Sequence, residues 1–243
     1  MTLFNLKPTA SGWPLWQRLG LAIQASLLML LLILSSAAHA SFQLESTGII
    51  LPQTEKRVSF NIQNVSSSPI LLVTKLLDLD GQDYSKHILI SPPITRIDAG
   101  QSQQVNFVLK DGVQLTHEVL LKASFEGVSQ AAENTAKMPV RQEVGFLIQP
   151  ASVPQNKTPW MGLSIQSTAN QLTVSNPSKH VVRLAPQITL LPSGKVIPLT
   201  DFYLLPGQSE QLQSSGHTTS VTIIPLSRYG FKLPDVTLPV DPS

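Results

Sequence analysis

Apolar and polar positions alternate most regularly over residues 137–150, KMPVRQEVGFLIQP. One parity of this stretch is mostly apolar and includes Met138, Val140, Val144, Phe146 and Ile148. The opposite parity carries three charged side chains. A spacing of two with one apolar face predicts a long, half-buried β-strand.

Two prolines in this stretch indicate that it is an edge strand. Pro139 has no N–H for a neighbouring strand and is tolerated only where one side is unpaired, or at a strand entrance or bulge, and Pro150 ends the run. A long, partly apolar edge is a place where another protein chain can add a strand. An ordinary edge of a β-sandwich explains the pattern equally well, so both interpretations stay open at this point.

Short apolar runs separated by turn residues fill the rest of residues 41–150. The runs are SFQLESTGIIL, RVSFNIQNV, ILLVTKLLDL, HILIS, ITRI, QQVNFVLK and HEVLLKASFEGV. Pro, Gly, Asn and Asp stand at the breaks, and no segment after residue 40 has a convincing helical period. The polar stretch 128–137 predicts a loop. This part of the chain is therefore predicted to be an all-β sandwich.

The same pattern restarts after the segment 150–154, which begins and ends with proline and which we interpret as a linker. The later runs are MGLSIQST, NQLTVSNPS, HVVRLAPQITLL, KVIPL, FYLLPGQSEQLQ, TSVTIIPL and FKLPDVTLPV. Their combined length suits one immunoglobulin-like sandwich. The sequence thus predicts two all-β domains, over residues 41–150 and 155–243.

The first 40 residues have the pattern of a secretory signal peptide. Lys7 and Arg18 are their only Lys, Arg, Asp or Glu residues, the core is nearly all apolar, and residues 38–40 read Ala-His-Ala. We expect cleavage after Ala40 and a soluble mature chain. An uncleaved membrane anchor is the alternative, because the apolar run approaches the length of a bilayer span.

Removing these 40 residues changes the charge of the protein. The full chain has 17 Lys and Arg against 15 Asp and Glu, so loss of the two leader cations leaves 15 of each and a net charge of zero. A neutral chain without a basic cluster does not favour nucleic acid as a partner. The chain contains no cysteine, which excludes disulfides, thiol nucleophiles and thiolate metal ligands.

No catalytic or phosphate-binding motif is present in the sequence. The histidines of the mature chain occur singly, without the spacing of metal ligands: His87, His117, His180 and His217. We therefore expect no enzyme activity, no metal site and no cofactor.

Four stretches resemble the PapD-like periplasmic chaperones of the chaperone–usher pilus pathway. They are SFQLESTGIILPQTEKRVSFNIQN at residues 41–64, ISPPITRIDAGQSQQVNF at 90–107, LTHEVLLKASFEGV at 115–128 and FLIQP at 146–150. The SPPxxR part is the most specific of these. Asn176-Pro177-Ser178 stands where the family has Asn-Pro-Thr.

The resemblance implies two immunoglobulin-like domains in an L-shaped arrangement, with a binding cleft between them. Such chaperones work in the periplasm, donate an edge strand to pilus or fimbrial subunits and deliver them to an outer-membrane usher. Residues 136–148 would be the donated strand. Ala136, Met138 and Val140 would enter pockets of the subunit, followed along the strand by Val144 and Phe146. The membrane would be met only through the cleaved signal peptide.

This sequence departs from the family at the residues that anchor the carboxylate of the subunit. The family uses an Arg in the first strand and a Lys in the edge strand, whereas the matching positions here are Gly48 and Gly145. Glycine offers no charge-assisted hydrogen bond, so the anchor is not retained. Arg141, Lys122 and Lys75 are the candidates for a substitute cation.

A second departure concerns the charges between the two domains. The family places a Glu and an Arg in the first domain and an Asp in the second, and the matching residues here are Glu118, Gln149 and Arg228. The cation has thus changed domains, and we expect Glu118 to pair with Arg228 while Gln149 bridges by hydrogen bonds. The alternative is that both charges are simply solvated.

A protein of another class, such as a secreted pilus subunit or adhesin, remains the competing interpretation. A subunit begins with an alternating N-terminal extension and lacks the last strand of its sandwich. This chain instead predicts a complete first sandwich followed by a second one.

Overall fold

A computed structural model describes residues 41–129, 138–168, 170–214 and 216–241, together with the single residue Gln24. The predicted signal peptide, Ala136 and most of the predicted loop at 128–137 lie outside the described residues. In the described part of the chain, no helix is long and apolar enough to cross a membrane. The fold is all-β, as predicted: strands predominate, and the two helices in the described residues are short 3-10 turns, Ser85–His87 and Pro159–Gly162.

The N-terminal sandwich contains nine described strands. They are β1 (Phe42–Leu44), β2 (Gly48–Pro52), β3 (Arg57–Asn64), β4 (Ile70–Leu77), β5 (Ile88–Ser91), β6 (Ile94–Ile97), β7 (Ser102–Leu109), β8 (Val119–Ser129) and β9 (Val140–Gln149). One sheet has the order β1-β3-β7-β5, and the other has the order β2-β9-β8-β4-β6. Buried side chains from both sheets form one core, in which Phe60 stacks on Phe125 with 5.4 Å between ring centroids.

The run SFQLESTGIIL, which the pattern predicts as one strand, forms two strands in different sheets. β1 pairs antiparallel with β3, and β2 pairs parallel with β9. Residues 45–47 connect them, because a strand that changes sheets must bend at the corner of the sandwich. This segment therefore pairs first in one sheet, as β1, and then in the opposite sheet, as β2.

The C-terminal sandwich contains eight described strands. They are β10 (Ser164–Ser167), β11 (Gln171–Ser175), β12 (Val182–Leu191), β13 (Val196–Pro198), β14 (Tyr203–Leu204), β15 (Ser209–Gln213), β16 (Ser220–Pro225) and β17 (Val236–Pro239). One sheet has the order β10-β11-β15, and the other has the order β13-β12-β16-β17 with β14 also paired to β12. A second, separate hydrophobic core fills the space between these two sheets.

A third, smaller apolar cluster joins the two sandwiches, and we call it the junction. Leu79, Leu120 and Leu147 come from the N-terminal sandwich, and Val181 and Leu205 come from the C-terminal sandwich. All five are buried. Burial of apolar surface on both sides stabilises the contact between the sandwiches by roughly 25 cal/mol per Å².

Candidate functional site: a strand edge beside the junction

Strand β9 has two halves that differ in their neighbours. β8 pairs antiparallel with β9 from Val140 to Ile148, whereas β2 pairs parallel with β9 only from Gly145 to Gln149. Among the described residues, no strand pairs with 140–144 on the side away from β8. β9 is therefore an open edge over 140–144. The prediction of an edge is wrong for 145–149, because β2 covers that half.

The side chains of the predicted donated strand also divide along its length. Met138 precedes the strand and is 89% exposed, so it does not share the burial predicted from its parity. Val140 and Val144 pack partly against the N-terminal core. Phe146 is fully buried, with its ring centroid 5.0 Å from that of Phe107. The strand thus begins with exposed apolar side chains and ends inside the protein.

Leu147 is a junction residue that the alternating pattern does not single out. It lies on the polar parity of the strand, yet it is buried against the C-terminal sandwich. The consecutive apolar residues 146–148 carry the relevant signal, since a strand buried on both faces has no polar side. Applied to β9, this signal would have placed the contact between the sandwiches at Leu147.

The two glycines at the anchor positions face each other across β2 and β9. Gly48 and Gly145 are direct partners in the parallel register. A Cβ atom on Gly48 would lie 3.2 Å from the Cα of Tyr229, and a Cβ on Gly145 would lie 3.2 Å from Nη1 of Arg183. Contacts this short are crowded, so groups from the C-terminal sandwich occupy the space that larger side chains would need at both positions.

Arg183 was not predicted as a site residue, although it is central to this region. It belongs to β12, and Nη1 of its guanidinium donates a hydrogen bond of 3.0 Å to the carbonyl of Arg228. Burial lowers the pKa of the Arg183 guanidinium. A charged residue inside the apolar run HVVRLA is the sequence feature that could have identified it.

The three substitute cations proposed from the sequence lie in different surroundings. Nη2 of Arg141 is 2.6 Å from Oε2 of Glu126, and Nζ of Lys122 is 3.9 Å from Oε2 of Glu143. Lys122 is the register partner of Gly145 on β8 and therefore shares its face of the sheet. Lys75 is exposed on β4, which β8 separates from β9.

Glu118, Gln149 and Arg228 come together at the junction. Nη2 of Arg228 lies 3.3 Å from Oε1 of Glu118 and also donates to Oε1 of Gln149. The other carboxylate oxygen of Glu118 accepts a 2.9 Å hydrogen bond from the backbone N–H of Val181. Glu118 is 3% exposed. A carboxylate this deeply buried requires such partners, which argues against the alternative of two solvated charges.

A histidine also approaches the carboxylate of Glu118, but these contacts do not indicate a metal site. Nδ1 of His180 is 3.5 Å from Oε1 of Glu118. Across the described ranges, no group of three or more His, Cys, Asp or Glu side chains is arranged to hold a metal ion.

Two β-sandwiches with an open strand edge beside their junction have the arrangement expected of a protein that binds another chain by strand pairing. Residues 41–154 match the family described as pili and flagellar-assembly chaperone, PapD N-terminal domain. The uncharacterized fimbrial chaperone YhcA of Escherichia coli (strain K12) is 35% identical over 77% of this chain and 85% of its own length. The chain therefore belongs to the PapD-like family of pilus-assembly chaperones.

Other relatives and solved structures agree with this assignment. The chaperone protein MrkB of Klebsiella pneumoniae is 27% identical over 63% of this chain and 72% of its own. The SafB chaperone of Salmonella enterica, solved in complex with the SafA pilin, matches with a TM-score of 0.70 at 21% identity, covering 84% of this chain and 99% of the matched chain. The fold of two sandwiches is thus the fold of pilus chaperones, and the competing interpretation of a pilus subunit or adhesin is not favoured.

Proposed function

We propose that this chaperone binds pilus subunits by adding the open edge of β9 to an incomplete subunit sandwich. The observation that carries the proposal is the difference between residues 140–144, which lack a strand partner on one side among the described residues, and residues 145–149, which have β2 there. A subunit strand that pairs with 140–144 satisfies main-chain groups of both proteins.

The side chains that enter the subunit in this proposal are Met138 and Val140, preceded by Ala136. Met138 is exposed and Val140 is only partly buried, so both have apolar surface left to bury in a partner. A strand added to the edge extends the sheet that contains β9. The side of this sheet on which Val140 packs against the N-terminal core would then be continuous with the core of the subunit.

The rest of the proposal concerns where and with whom the protein acts. We propose export to the periplasm with removal of residues 1–40, subunit binding by domain 41–150 together with domain 155–243, and transfer of the subunit to an outer-membrane usher. In this proposal the protein is a binding protein without catalytic activity. Mass spectrometry of the periplasmic protein is expected to find Ser41 as the first residue, and retention of the precursor in membranes would contradict this.

Co-purification from the periplasm tests the proposed binding directly. The tagged chain is co-expressed with pilin subunits of its source organism, and a stoichiometric complex with a β-rich subunit is the expected result. Hydrogen exchange of the complex is expected to show new protection of those amides of residues 140–144 that point away from β8. A complex in which these amides exchange as fast as in the free protein would refute strand addition.

A further inference from the structure

Arg183 is a cation in the region where the N-terminal and C-terminal sandwiches meet, and it lacks an acidic partner among the residues that the structure describes. Within the described residues, no carboxylate forms an ion pair with its guanidinium, and its Nε is buried without a hydrogen-bond partner. The hydrogen bond to the carbonyl of Arg228 satisfies one of its five N–H groups. A partly buried guanidinium without a counter-ion is costly in the free protein, so a binding role accounts for its presence better than a structural one.

Two glycines create the space that the guanidinium occupies. A Cβ on Gly145 would lie 3.2 Å from Nη1 of Arg183, and a Cβ on Gly230 would lie 3.1 Å from Nη2. Any other residue at Gly145 would displace the guanidinium or force the chain to shift. Gly145 is also a position at which this sequence lacks the cation that its resemblance to the family implies. The positive charge thus stands beside that position but comes from β12 of the other sandwich.

Arg183 is also accessible from a cavity. A pocket of about 310 Å³ is lined by its side chain together with Leu147, Trp160, Val181 and Leu233, among others. This volume is several times that of a water molecule, which occupies roughly 30 Å³ in the liquid. A chain end can therefore approach the guanidinium without unfolding the region around it.

The topology of β9 decides which end of a partner strand comes here. β2 pairs with β9 from Gly48 onward, so a strand added along residues 140–144 must stop where β2 begins. If the partner chain has its terminus at this point, a strand that runs parallel to β9 presents its carboxylate here, whereas an antiparallel strand presents its ammonium group. Arg183 attracts the first terminus and repels the second.

We propose that Arg183 binds the C-terminal carboxylate of the captured subunit and thereby selects a partner strand parallel to β9. This inference rests on the proposed function, because it supplies the terminus of the subunit that β9 binds. A guanidinium donates two parallel hydrogen bonds to a carboxylate, which fixes the position of the chain end as well as attracting it. The carboxylate of the subunit then contacts the C-terminal sandwich while its strand pairs with the N-terminal sandwich. Both sandwiches therefore contribute to subunit binding.

The test uses the full-length chaperone and a subunit that the wild-type protein captures. Affinity is measured for the subunit with its native end and for the same subunit extended by four residues, which moves the carboxylate away from Gly48. We expect the extension to weaken binding to wild type by about tenfold or more, since the loss of a partly buried charge pair exceeds roughly 1.4 kcal/mol. Arg183→Gln is expected to bind both forms equally, at the weakened level.

Matched variants separate binding from folding. Arg96→Gln removes an exposed arginine that is already paired with Asp98 at 2.9 Å, and it is expected to leave both affinities unchanged. Arg183→Lys keeps the charge and is expected to retain part of the preference for the native end. Arg183→Gln combined with Gly145→Lys restores a cation beside Gly48 and is expected to recover part of the lost affinity. The N–H resonance of the Arg183 Nε is expected to shift when the native subunit binds.

Three results would overturn the inference. Binding of the native subunit by Arg183→Gln as tightly as by wild type would show that the guanidinium makes no contact with the ligand. Loss of the same factor by wild type and Arg183→Gln on extension would show that the chain end is bound elsewhere. Weaker binding by Arg183→Gln without an effect of the extension would assign the bound carboxylate to an Asp or Glu side chain. Failure of wild type to capture any subunit would instead refute the proposed function itself.

Discussion

The two halves of β9 have the same secondary structure but opposite surroundings. Residues 145–148 have a strand on each side, and Phe146 and Leu147 are buried on opposite faces. Residues 140–144 have only β8, and Met138 before them is exposed. The buried half fixes the position of the strand in the fold, and the open half is presented at a defined angle and register. The open half is thereby held in place, because it continues a strand that is paired on both sides.

The arginines near the junction show the same contrast. Arg228 is in contact with Glu118 and Gln149, so its charge is used within the protein. Arg183 lies next to it, bonded to its carbonyl, and has no acidic partner among the described residues. The paired charges of Arg228 and Glu118 join the two sandwiches, whereas in our proposal the charge of Arg183 binds the ligand. The following experiments test this division between structural and binding groups.

The largest effect is expected from truncation of the buried half of β9. Phe146→Ala removes a fully buried ring that packs on Phe107, and we expect it to lower the free energy of unfolding by about 3–5 kcal/mol. Urea denaturation followed by circular dichroism measures this change. Val144→Ala, on the same face but only partly buried, is the matched control and is expected to cost clearly less. Equal losses would mean that the two halves of the strand do not differ in structural importance.

The next largest loss of stability is expected from substitutions in the ion pair between Glu118 and Arg228. Glu118→Gln and Arg228→Gln are each expected to lower stability, because each leaves its partner buried without an opposite charge. The double variant is expected to recover part of the loss, with a coupling energy of about 0.5–3 kcal/mol in a thermal or urea unfolding cycle. If the losses of the two single variants add in the double variant, the two side chains do not stabilise each other.

Much of this architecture could be predicted from the sequence, because alternation and turn residues report directly on strands. The runs that predict β3, β7 and β8 end within a few residues of the observed strands. The division of SFQLESTGIIL into β1 and β2 could not be predicted, since a change of sheet depends on which partner each half finds. Alternation reports the face that a side chain occupies, and it says nothing about the neighbouring strand.

The same limitation explains what was missed at the site. The pattern identifies β9 as a strand with a special edge, but the covering of Gly145 by β2 is a contact between residues about a hundred positions apart in the chain. The glycines at the anchor positions mark a missing cation. The guanidinium that lies beside Gly145 belongs to Arg183 of the other sandwich, and this contact is recognised only once the two sandwiches are packed together. Local sequence shows which residues occupy the anchor positions, and tertiary structure shows which groups surround them.

The smallest change in the free energy of unfolding is expected at the exposed end of the open edge. A substitution there is expected to affect subunit binding without affecting stability. Met138 is 89% exposed and lies outside β9, so Met138→Asp is expected to leave the free energy of unfolding within about 0.5 kcal/mol of wild type. In a subunit pocket the same side chain would bury apolar surface that stabilises the complex by about 1.5–3 kcal/mol, and a buried Asp would add a desolvation cost. Co-purification and affinity measurements are therefore expected to show at least a tenfold weaker complex. Met138→Leu, which keeps an apolar side chain of similar size, is the matched control and is expected to bind as wild type does.

Two results would contradict this prediction for Met138. Full binding by Met138→Asp would place the subunit contact elsewhere on the open edge. A loss of stability that matches the loss of binding would show that Met138 belongs to the fold and not to the binding surface.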